Sequence, residues 1–214
     1  GNGRLVFINE GVAYDNPWIH CWAMDSSHAC QNKQIRQALN YAINKEIIQD
    51  KLYGGPEVFG IGGLGFITPS VMGYTTGLDP YPFDPDKARQ LLSDAGYPGG
   101  SGFPTTIKLN AAPSGVIPFL VETAQFVGDS WKKELNIPVE VVVHDYSAMK
   151  KLRRTDALDG EIYFSRKGAS VDPGSNVFRF YGSDEEDKRR GHDSALMQRV
   201  QDATFVVERD ARAK

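Results

Sequence analysis

Histidine and cysteine side chains that could bind a metal or react as thiols lie close together near the start of the chain. His20 and Cys21 are followed by His28 and Cys30, so four potential zinc ligands fall within eleven residues. Their spacing matches no familiar zinc finger, and the neighbours His20 and Cys21 would point to opposite sides of a strand. A disulfide, two free thiols and a metal site are three alternatives that the residues leave open. A metal site would make the chain a metal-binding protein or a lobe of an enzyme.

A glycine-rich segment at residues 60–65 has the spacing G-x-G-x-x-G, which is typical of dinucleotide-binding loops. That chemistry needs a strand before the loop and a helix that begins on its glycines, so that the helix N-terminus meets the pyrophosphate. Here Pro56 precedes the segment, and Pro69 and Gly73 interrupt the residues that follow it. We therefore expect a flexible loop rather than a nucleotide site.

His144, Asp145 and Ser147 have the side chains of a hydrolytic triad but are nearly adjacent in sequence. Triad members usually come from separate parts of a chain, and adjacent residues lie on opposite faces of a strand end. The G-x-S-x-G motif of many hydrolases does not occur in the sequence. We interpret these residues as the end of a strand and the cap of the next helix, and the sequence does not indicate an enzyme.

Composition and charge exclude further classes of function. The 214 residues carry a net charge of −3, which argues against a nucleic-acid-binding surface. The apolar runs are all shorter than the roughly 18 residues that a membrane-spanning helix needs. The charged residues at 184–190 are expected to form a solvated loop. These properties predict a globular chain that is long enough to bury a sizeable core.

The spacing of the apolar residues changes repeatedly between the periods of helices and strands, which predicts an α/β fold. Asn32, Asn44 and Asp84 have side chains that favour helix N-termini, Pro85 suits a first helical position, and Gly96 is typical of a helix end. Helices are expected at 33–43, 44–52, 84–95, 117–135 and 146–152 and from 193 onward, and strands at 5–8, 18–24, 106–111, 139–143 and 161–165.

The strand at 106–111, the helix at 117–135 and the strand at 139–143 form a βαβ unit, which requires its two strands to be parallel. The apolar run at 139–143 is expected to form a buried strand. Long loops are expected at 54–82, where glycine and proline are abundant, and at 166–181.

Both ends of the sequence have features of internal positions. The chain does not begin with methionine, and residues 211–214 continue a helical pattern without a capping glycine or asparagine. We therefore expect the 214 residues to be part of a longer protein, in which case the start of the sequence carries no information about a signal peptide.

Several segments, taken in order, resemble one protein family. Residues 35–46 (IRQALNYAINKE) resemble the RQALxYAIDKE helix of the extracellular solute-binding proteins of the peptide and nickel type, bacterial family 5, which serve ATP-binding cassette importers. Residues 82–97 resemble the YDPEKARxLLxEAGY segment of that family. Residues 131–143, Asp172-Pro173 with Phe178, and the last helix through Asp202 and Arg209 or Arg212 follow in family order.

The resemblance implies a fold and a function. Residues 1–214 would be a single α/β lobe, much of the C-terminal lobe of a type II periplasmic-binding-protein-like fold, with a mixed sheet flanked by helices. A larger two-lobed protein would bind a small solute, such as a peptide or oligosaccharide, in the cleft between its lobes and deliver it to a membrane permease. The resemblance implies no catalysis, no cofactor, no nucleic acid and a monomeric fragment. It also implies an extracytoplasmic location, which favours a disulfide between Cys21 and Cys30.

The resemblance also indicates which positions face the solute. Peptide-binding relatives carry W-x-x-D-x-x-[DE]-P, and alignment on Asp172-Pro173 places Arg166 at the tryptophan and Ala169 at the first aspartate, which pairs with the ligand amine. Ser114 stands near the position where some dipeptide binders hold the ligand carboxylate with arginine. A peptide held at its termini is therefore not expected. Arg166 would suit an anionic or hydroxyl-rich ligand, and a structural or solvent-facing Arg166 is the alternative. The candidate ligand-binding residues are Trp22, Ser114, Arg166, Ala169, Asp172 and Phe178.

Overall fold

The structure is a computed structural model, and it describes residues 15–21, 23–25, 27–55, 81–115, 118–155, 157–168, 194–204 and 206. The expected strand at 5–8, the glycine pattern at 60–65 and the charged run at 184–190 lie outside the described residues. Most of the loop expected at 54–82 lies outside them as well.

Helices and strands alternate along the described chain, which confirms the α/β prediction. The elements are β1 (Asp15–Cys21), α1 (Lys33–Tyr41), α2 (Lys45–Tyr53), α3 (Pro85–Asp94), β2 (Ile107–Ala111), α4 (Leu120–Leu135), β3 (Val139–Val143), α5 (Tyr146–Arg154), β4 (Ile162–Gly168) and α6 (Ser194–Thr204). Short 3-10 turns occur at Ala29–Gln31 and Pro98–Gly100. None of the helices within the described ranges is long and apolar enough to cross a bilayer.

The described strands form one mixed sheet in the order β1-β4-β2-β3. Strand β2 is parallel to β3, with Ile107 opposite Val139, and parallel to β4, with Leu109 opposite Ile162. Strand β1 is antiparallel to β4. The parallel pair β2 and β3 is joined through α4, so the predicted βαβ unit is confirmed, as is the mixed sheet flanked by helices.

The helix N-termini form where the sequence predicts them, because each starts with a side chain that accepts backbone hydrogen bonds. Asn32 accepts from the amides of Gln34 and Ile35, Asn44 accepts from Ile47, and Asp84 Oδ1 accepts from Lys87 N at 2.9 Å. The second helix ends at Gly54, whose φ of 77° is a left-handed conformation that favours glycine.

Three expectations about the elements were wrong. Helix α4 begins at Leu120 rather than at residue 117, because Phe119 has a φ of 59°, outside the helical region. Strand β3 is not a buried strand: it lies at one end of the described sheet, and Val143 is 52% exposed. Strand β4 continues to Gly168, so Arg166 lies on a strand that pairs with β1 and not in the loop expected at 166–181.

The sheet has a large apolar core on one face and a smaller cluster on the other. Trp131 of α4 is fully buried in the large core, where its indole Nε1 donates to the carbonyl of Leu39 at 2.8 Å. Strands β2 and β4 contribute Leu109 and Ile162 to the same core. On the opposite face, α5 and the sheet form a second cluster of Ala112, Met149, Leu158 and Tyr163. The core therefore holds the strands in register on one side, while polar side chains of the strands are placed on the other.

Candidate functional site

The parallel strands β2, β3 and β4 all end at the same side of the sheet, which we call the carboxyl edge. In open α/β sheets, ligands bind in the crevice outside the carboxyl ends of the strands. Ser114 follows the end of β2 by three residues, and Arg166 lies two residues before the end of β4. The structure thus brings these two predicted ligand-binding residues to one edge. Trp22, Ala169, Asp172 and Phe178 lie outside the described residues.

Three exposed apolar or aromatic side chains occur at the same edge, and sequence reasoning did not select them. Phe119 precedes α4 and is 48% exposed, Val143 ends β3 and is 52% exposed, and Tyr146 begins α5 and is 57% exposed. Large apolar side chains that remain exposed at the carboxyl edge of an α/β sheet are typical of binding surfaces. The available sequence signal was the position of Val143 at the end of a predicted strand and of Tyr146 at the start of a predicted helix. Phe119 falls inside the helix predicted at 117–135, so the sequence carried no signal for it.

Phe119 has an unusual backbone that its neighbours hold in place. A bulky residue with positive φ is costly, and such residues cluster at functional sites. The carbonyl of Phe119 accepts hydrogen bonds from the backbone N and the Oγ1 of Thr123, at 2.8 and 2.7 Å. Because Thr123 Oγ1 donates there, it accepts from the hydroxyl of Tyr53, at 2.9 Å. The ring of Tyr53 also contacts that of Phe119 edge-on, with centroids 6.1 Å apart.

Tyr53 is buried behind this arrangement, and its side chain is 5% exposed. Burial raises the pKa of Tyr53 above its ordinary value, since the phenolate would lose its hydration. The tyrosine is therefore held in its neutral form as a hydrogen-bond donor, which fits its bond to Thr123.

Asn110 joins all three parallel strands through its side chain and is 2% exposed. Its Nδ2 donates to Glu161 Oε2 at 2.8 Å and to the carbonyl of Ile162 at 3.2 Å. Its Oδ1 must then accept from Nε2 of His144, at 2.7 Å, which fixes the proton of His144 on Nε2. Asn110 thereby links Glu161, just before β4, with His144, just after β3.

The neighbours of His144 act as a helix cap rather than as catalytic groups. Asp145 Oδ1 accepts hydrogen bonds from the backbone amides of Ser147 and Ala148, at 2.8 and 3.2 Å. These are the contacts of an N-cap at the start of α5. The interpretation of this segment as a strand end followed by a cap is confirmed, and no triad geometry connects His144, Asp145 and Ser147.

The histidines and cysteines near the start of the described chain do not form a metal site. Cys21 and Cys30 are joined by a disulfide with their Cα atoms 5.2 Å apart, so neither thiolate is available as a ligand. His20 is buried, stacks on Tyr163 with ring centroids 4.4 Å apart, and hydrogen bonds Ser165 Oγ through Nε2 at 2.8 Å. Across the part of the chain that the structure describes, no group of three His, Cys, Asp or Glu side chains is placed to hold a metal ion.

A cavity of about 210 Å³ lies at the opposite side of the sheet, which we call the amino edge. Its walls include the disulfide, His28, and Lys108 with its salt-bridge partner Glu161. The parallel strands begin at this edge, so the cavity is separated from Ser114 and Arg166 by the length of the strands. The candidate functional site is therefore the carboxyl edge, where Ser114 and Arg166 lie, and not this cavity.

Comparison with known proteins agrees with this geometry. Residues 5–189 match the family described as bacterial extracellular solute-binding proteins, family 5 Middle. Heme-binding protein A of Haemophilus influenzae is 27% identical over 186 residues, which is 86% of this chain and 33% of that protein. Glutathione-binding protein GsiB of Pectobacterium atrosepticum is 43% identical over 76 residues, 36% of this chain and 14% of that protein.

A solved structure shares the fold. The oligopeptide-binding protein AppA of Bacillus subtilis, in complex with a nonapeptide, aligns with a TM-score of 0.73 at 18% identity, covering 95% of this chain and 41% of that one. The present chain thus spans about a third of the length of the first curated relative. The type II periplasmic-binding-protein fold and the family match together lead to one conclusion: the chain belongs to the bacterial extracellular solute-binding proteins, family 5.

Proposed function

We propose that residues 1–214 form one lobe of a two-lobed solute-binding protein of an ABC importer. This lobe would bind a small solute, such as a peptide, an oligosaccharide or a related molecule, at its carboxyl edge, and the second lobe would close over it. The closed protein would deliver the solute to a membrane permease. The observation that carries the proposal is the family match over residues 5–189, together with the placement of Ser114 and Arg166 on one edge of the sheet.

The chemistry of the carboxyl edge supports a mixed apolar and polar contact surface. Phe119, Val143 and Tyr146 offer exposed apolar area, and Ser114 adds a polar side chain at the same edge of the sheet. Arg166 would hold an anionic or hydroxyl-rich part of the solute through its planar guanidinium. Asp172 and Phe178 would complete the contacts.

Ala169 restricts the class of solute. It stands where peptide-binding relatives carry the aspartate that pairs with the ligand amine. A buried ammonium without a counter-charge costs several kcal/mol, so the solute would not depend on a buried free amine.

The relatives support a proposal about the location and mode of action. The named relatives are binding proteins, and the family is described as extracellular. We propose an extracytoplasmic, non-catalytic protein whose 214-residue fragment is monomeric, and a disulfide such as Cys21–Cys30 persists in that environment.

A ligand screen tests the proposal. The complete two-lobed protein is heated in the presence of peptides, oligosaccharides and metal chelates, and one class is expected to raise the melting temperature, since a ligand at 100 times its Kd stabilises by about 2.7 kcal/mol. Calorimetry with that ligand should give one site, and the 214-residue chain alone should bind weakly. Tight binding by the chain alone, or no stabilising ligand in any class, would contradict the proposal.

Point variants test the location of the site. Phe119→Ala and Arg166→Ala are expected to weaken binding of the solute that the screen identifies. Met24→Ala is the matched control, because Met24 is similarly exposed, at 43%, but lies beyond the end of β1 at the amino edge. Equal losses in all three variants would place the solute elsewhere.

A further inference from the structure

Helix α5 carries a concentration of positive charge. Four of its nine residues are cationic and none is acidic, and all four cationic side chains are exposed. They are Lys150, Lys151, Arg153 and Arg154. The whole chain has a net charge of −3, so removing these four charges leaves −7 on the rest of the sequence. Helix α5 is therefore a positively charged segment of a chain whose remaining residues have a net negative charge.

The charges of α5 are not neutralised by the surrounding described residues. Salt bridges elsewhere in the described chain pair Lys132 with Asp129 and Lys133 with Glu134. Among the described carboxylates, none lies within 4.0 Å of a cationic group of α5. Arg153 places its guanidinium 5.0 Å from the centre of the Tyr163 ring, a contact that orients the side chain without reducing its charge.

The apolar side of α5 is already occupied by the sheet. Met149 is 4% exposed and packs in the same cluster as Tyr163, with Leu152 against it. Tyr146, Lys150 and Arg153 are spaced at i, i+4 and i+7, so they lie along one face of the helix, and all three are exposed. The outward face of α5 is thus a convex row of cations, in which Arg153 lies at the border with the sheet, against the ring of Tyr163.

We propose that α5 docks the protein on an anionic lipid surface through phospholipid headgroup phosphates. Clusters of four or more Lys and Arg on an amphipathic helix bind such surfaces. A convex row can place all of its cations against a flat layer of phosphates, whereas an acidic protein segment would have to wrap around the helix.

Two physical consequences follow for the docked protein. Because the apolar side of α5 faces the sheet, the helix adds charge but no inserted apolar surface, so binding is reversible and strongly dependent on salt. Because the rest of the chain carries a net negative charge, an anionic membrane favours orientations in which α5 faces the surface.

Vesicle sedimentation tests the proposal. The full chain is mixed with vesicles of phosphatidylcholine alone or of phosphatidylcholine with phosphatidylglycerol, and binding is expected only to the second kind. The double variant Lys150→Ala/Lys151→Ala should lower the partition coefficient by roughly 30-fold at low ionic strength, as expected for two cations near an anionic surface. Raising the salt from about 0.01 M to about 0.15 M should weaken binding by the wild type, since the Debye length falls from about 30 to about 8 Å.

The variant Lys132→Ala/Lys133→Ala is the matched control, because it changes the net charge equally at exposed lysines that pair with carboxylates. It should bind anionic vesicles nearly as well as the wild type, and Arg154→Ala should fall between the two double variants. Melting curves of each variant check that these exposed substitutions leave the fold intact.

Equal losses in the two double variants would overturn the proposal, as would equal binding to both kinds of vesicle. Polyglutamate provides a further arm as a soluble acidic probe. If it binds through α5 while anionic vesicles do not, the surface serves an acidic protein and the lipid proposal is wrong.

Discussion

The two edges of the sheet differ in whether their side chains bond to other groups of the chain or remain exposed. At the amino edge, the Cys21–Cys30 disulfide joins the end of β1 to the turn before α1, and Lys108 pairs with Glu161 at 3.2 Å. At the carboxyl edge, Phe119, Val143 and Tyr146 leave large side chains exposed. The disulfide and the ion pair of the amino edge are formed within the chain. The exposed apolar side chains of the carboxyl edge are available for a contact with another molecule.

This difference assigns stability mainly to the amino edge of the sheet and binding mainly to the carboxyl edge. Regions that bind ligands are drawn from the less stable parts of a protein and are supported by a rigid scaffold. The amino edge is such a scaffold for this chain, since covalent and close backbone contacts concentrate there. Substitutions at the amino edge should therefore unfold the protein, and substitutions at the carboxyl edge should change binding.

The largest expected loss of stability comes from Gly100→Ala at the amino edge. Gly100 has a φ of 78°, and a Cβ added there would lie 2.6 Å from the carbonyl oxygen of Leu135 and also overlap that of Asn136. Left-handed strain and overpacking against backbone together should cost about 4 kcal/mol. Urea unfolding monitored by circular dichroism measures the loss.

Gly99→Ala is the control for that experiment. Gly99 also has a positive φ, 61°, but a Cβ there would have no neighbour within 4 Å. It should cost about 1 kcal/mol, the strain alone. Equal losses in the two variants would show that the contact with the end of α4 does not fix this edge.

The contrast between the edges also explains which features could be predicted from sequence. Asn32, Asn44 and Asp84 act on amides a few residues away, so their caps are readable in the local sequence. The exposure of Val143 depends on the strand order, which places β3 beside β2 alone among the described strands. No local pattern contains that information.

Two features of the candidate site also depend on contacts between residues that are distant in sequence, which a local sequence pattern does not contain. The sequence predicts a strand that ends at residue 165 and a loop that begins at Arg166, yet pairing with β1 opposite Pro17 continues the strand through Gly168. Phe119 has a left-handed backbone because Thr123 and Tyr53 hold it, and Tyr53 is 70 residues away from Thr123 in sequence. Ser114 and Arg166 were nominated by resemblance, and the parallel strands place them on one edge.

The second largest effect is expected from removal of the disulfide. Cys21 and Cys30 are nine positions apart, and closing a loop of that size should contribute about 3 kcal/mol by restricting the unfolded chain. The double variant Cys21→Ser/Cys30→Ser should lose that amount in urea unfolding. Adding a thiol reductant should destabilise the wild type but not the variant, and an equal response of both would contradict the assignment.

Asn110→Ala tests the link between the edges. Asn110 is buried and hydrogen bonds Glu161, the carbonyl of Ile162, and His144, so its removal should cost about 2 kcal/mol. Asn40→Ala is the control, because Asn40 is half-buried and its Nδ2 donates to the carbonyl of Arg36 within one helix. A loss in the control as large as in Asn110→Ala would show that the buried link carries no special stability.

The smallest change in stability is expected at the carboxyl edge, from Phe119→Gly. Glycine relieves a left-handed backbone strain of about 1 kcal/mol, and loss of a half-exposed ring costs a similar amount, so the net change should stay within about 0.5 kcal/mol. Binding should respond differently, because loss of an aromatic contact weakens affinity by at least about 5-fold at a site where it matters. Urea unfolding of the chain and calorimetry of the complete protein with its solute measure the two quantities. A large loss of stability with unchanged affinity would make Phe119 part of the scaffold, and the two edges would then no longer differ in kind.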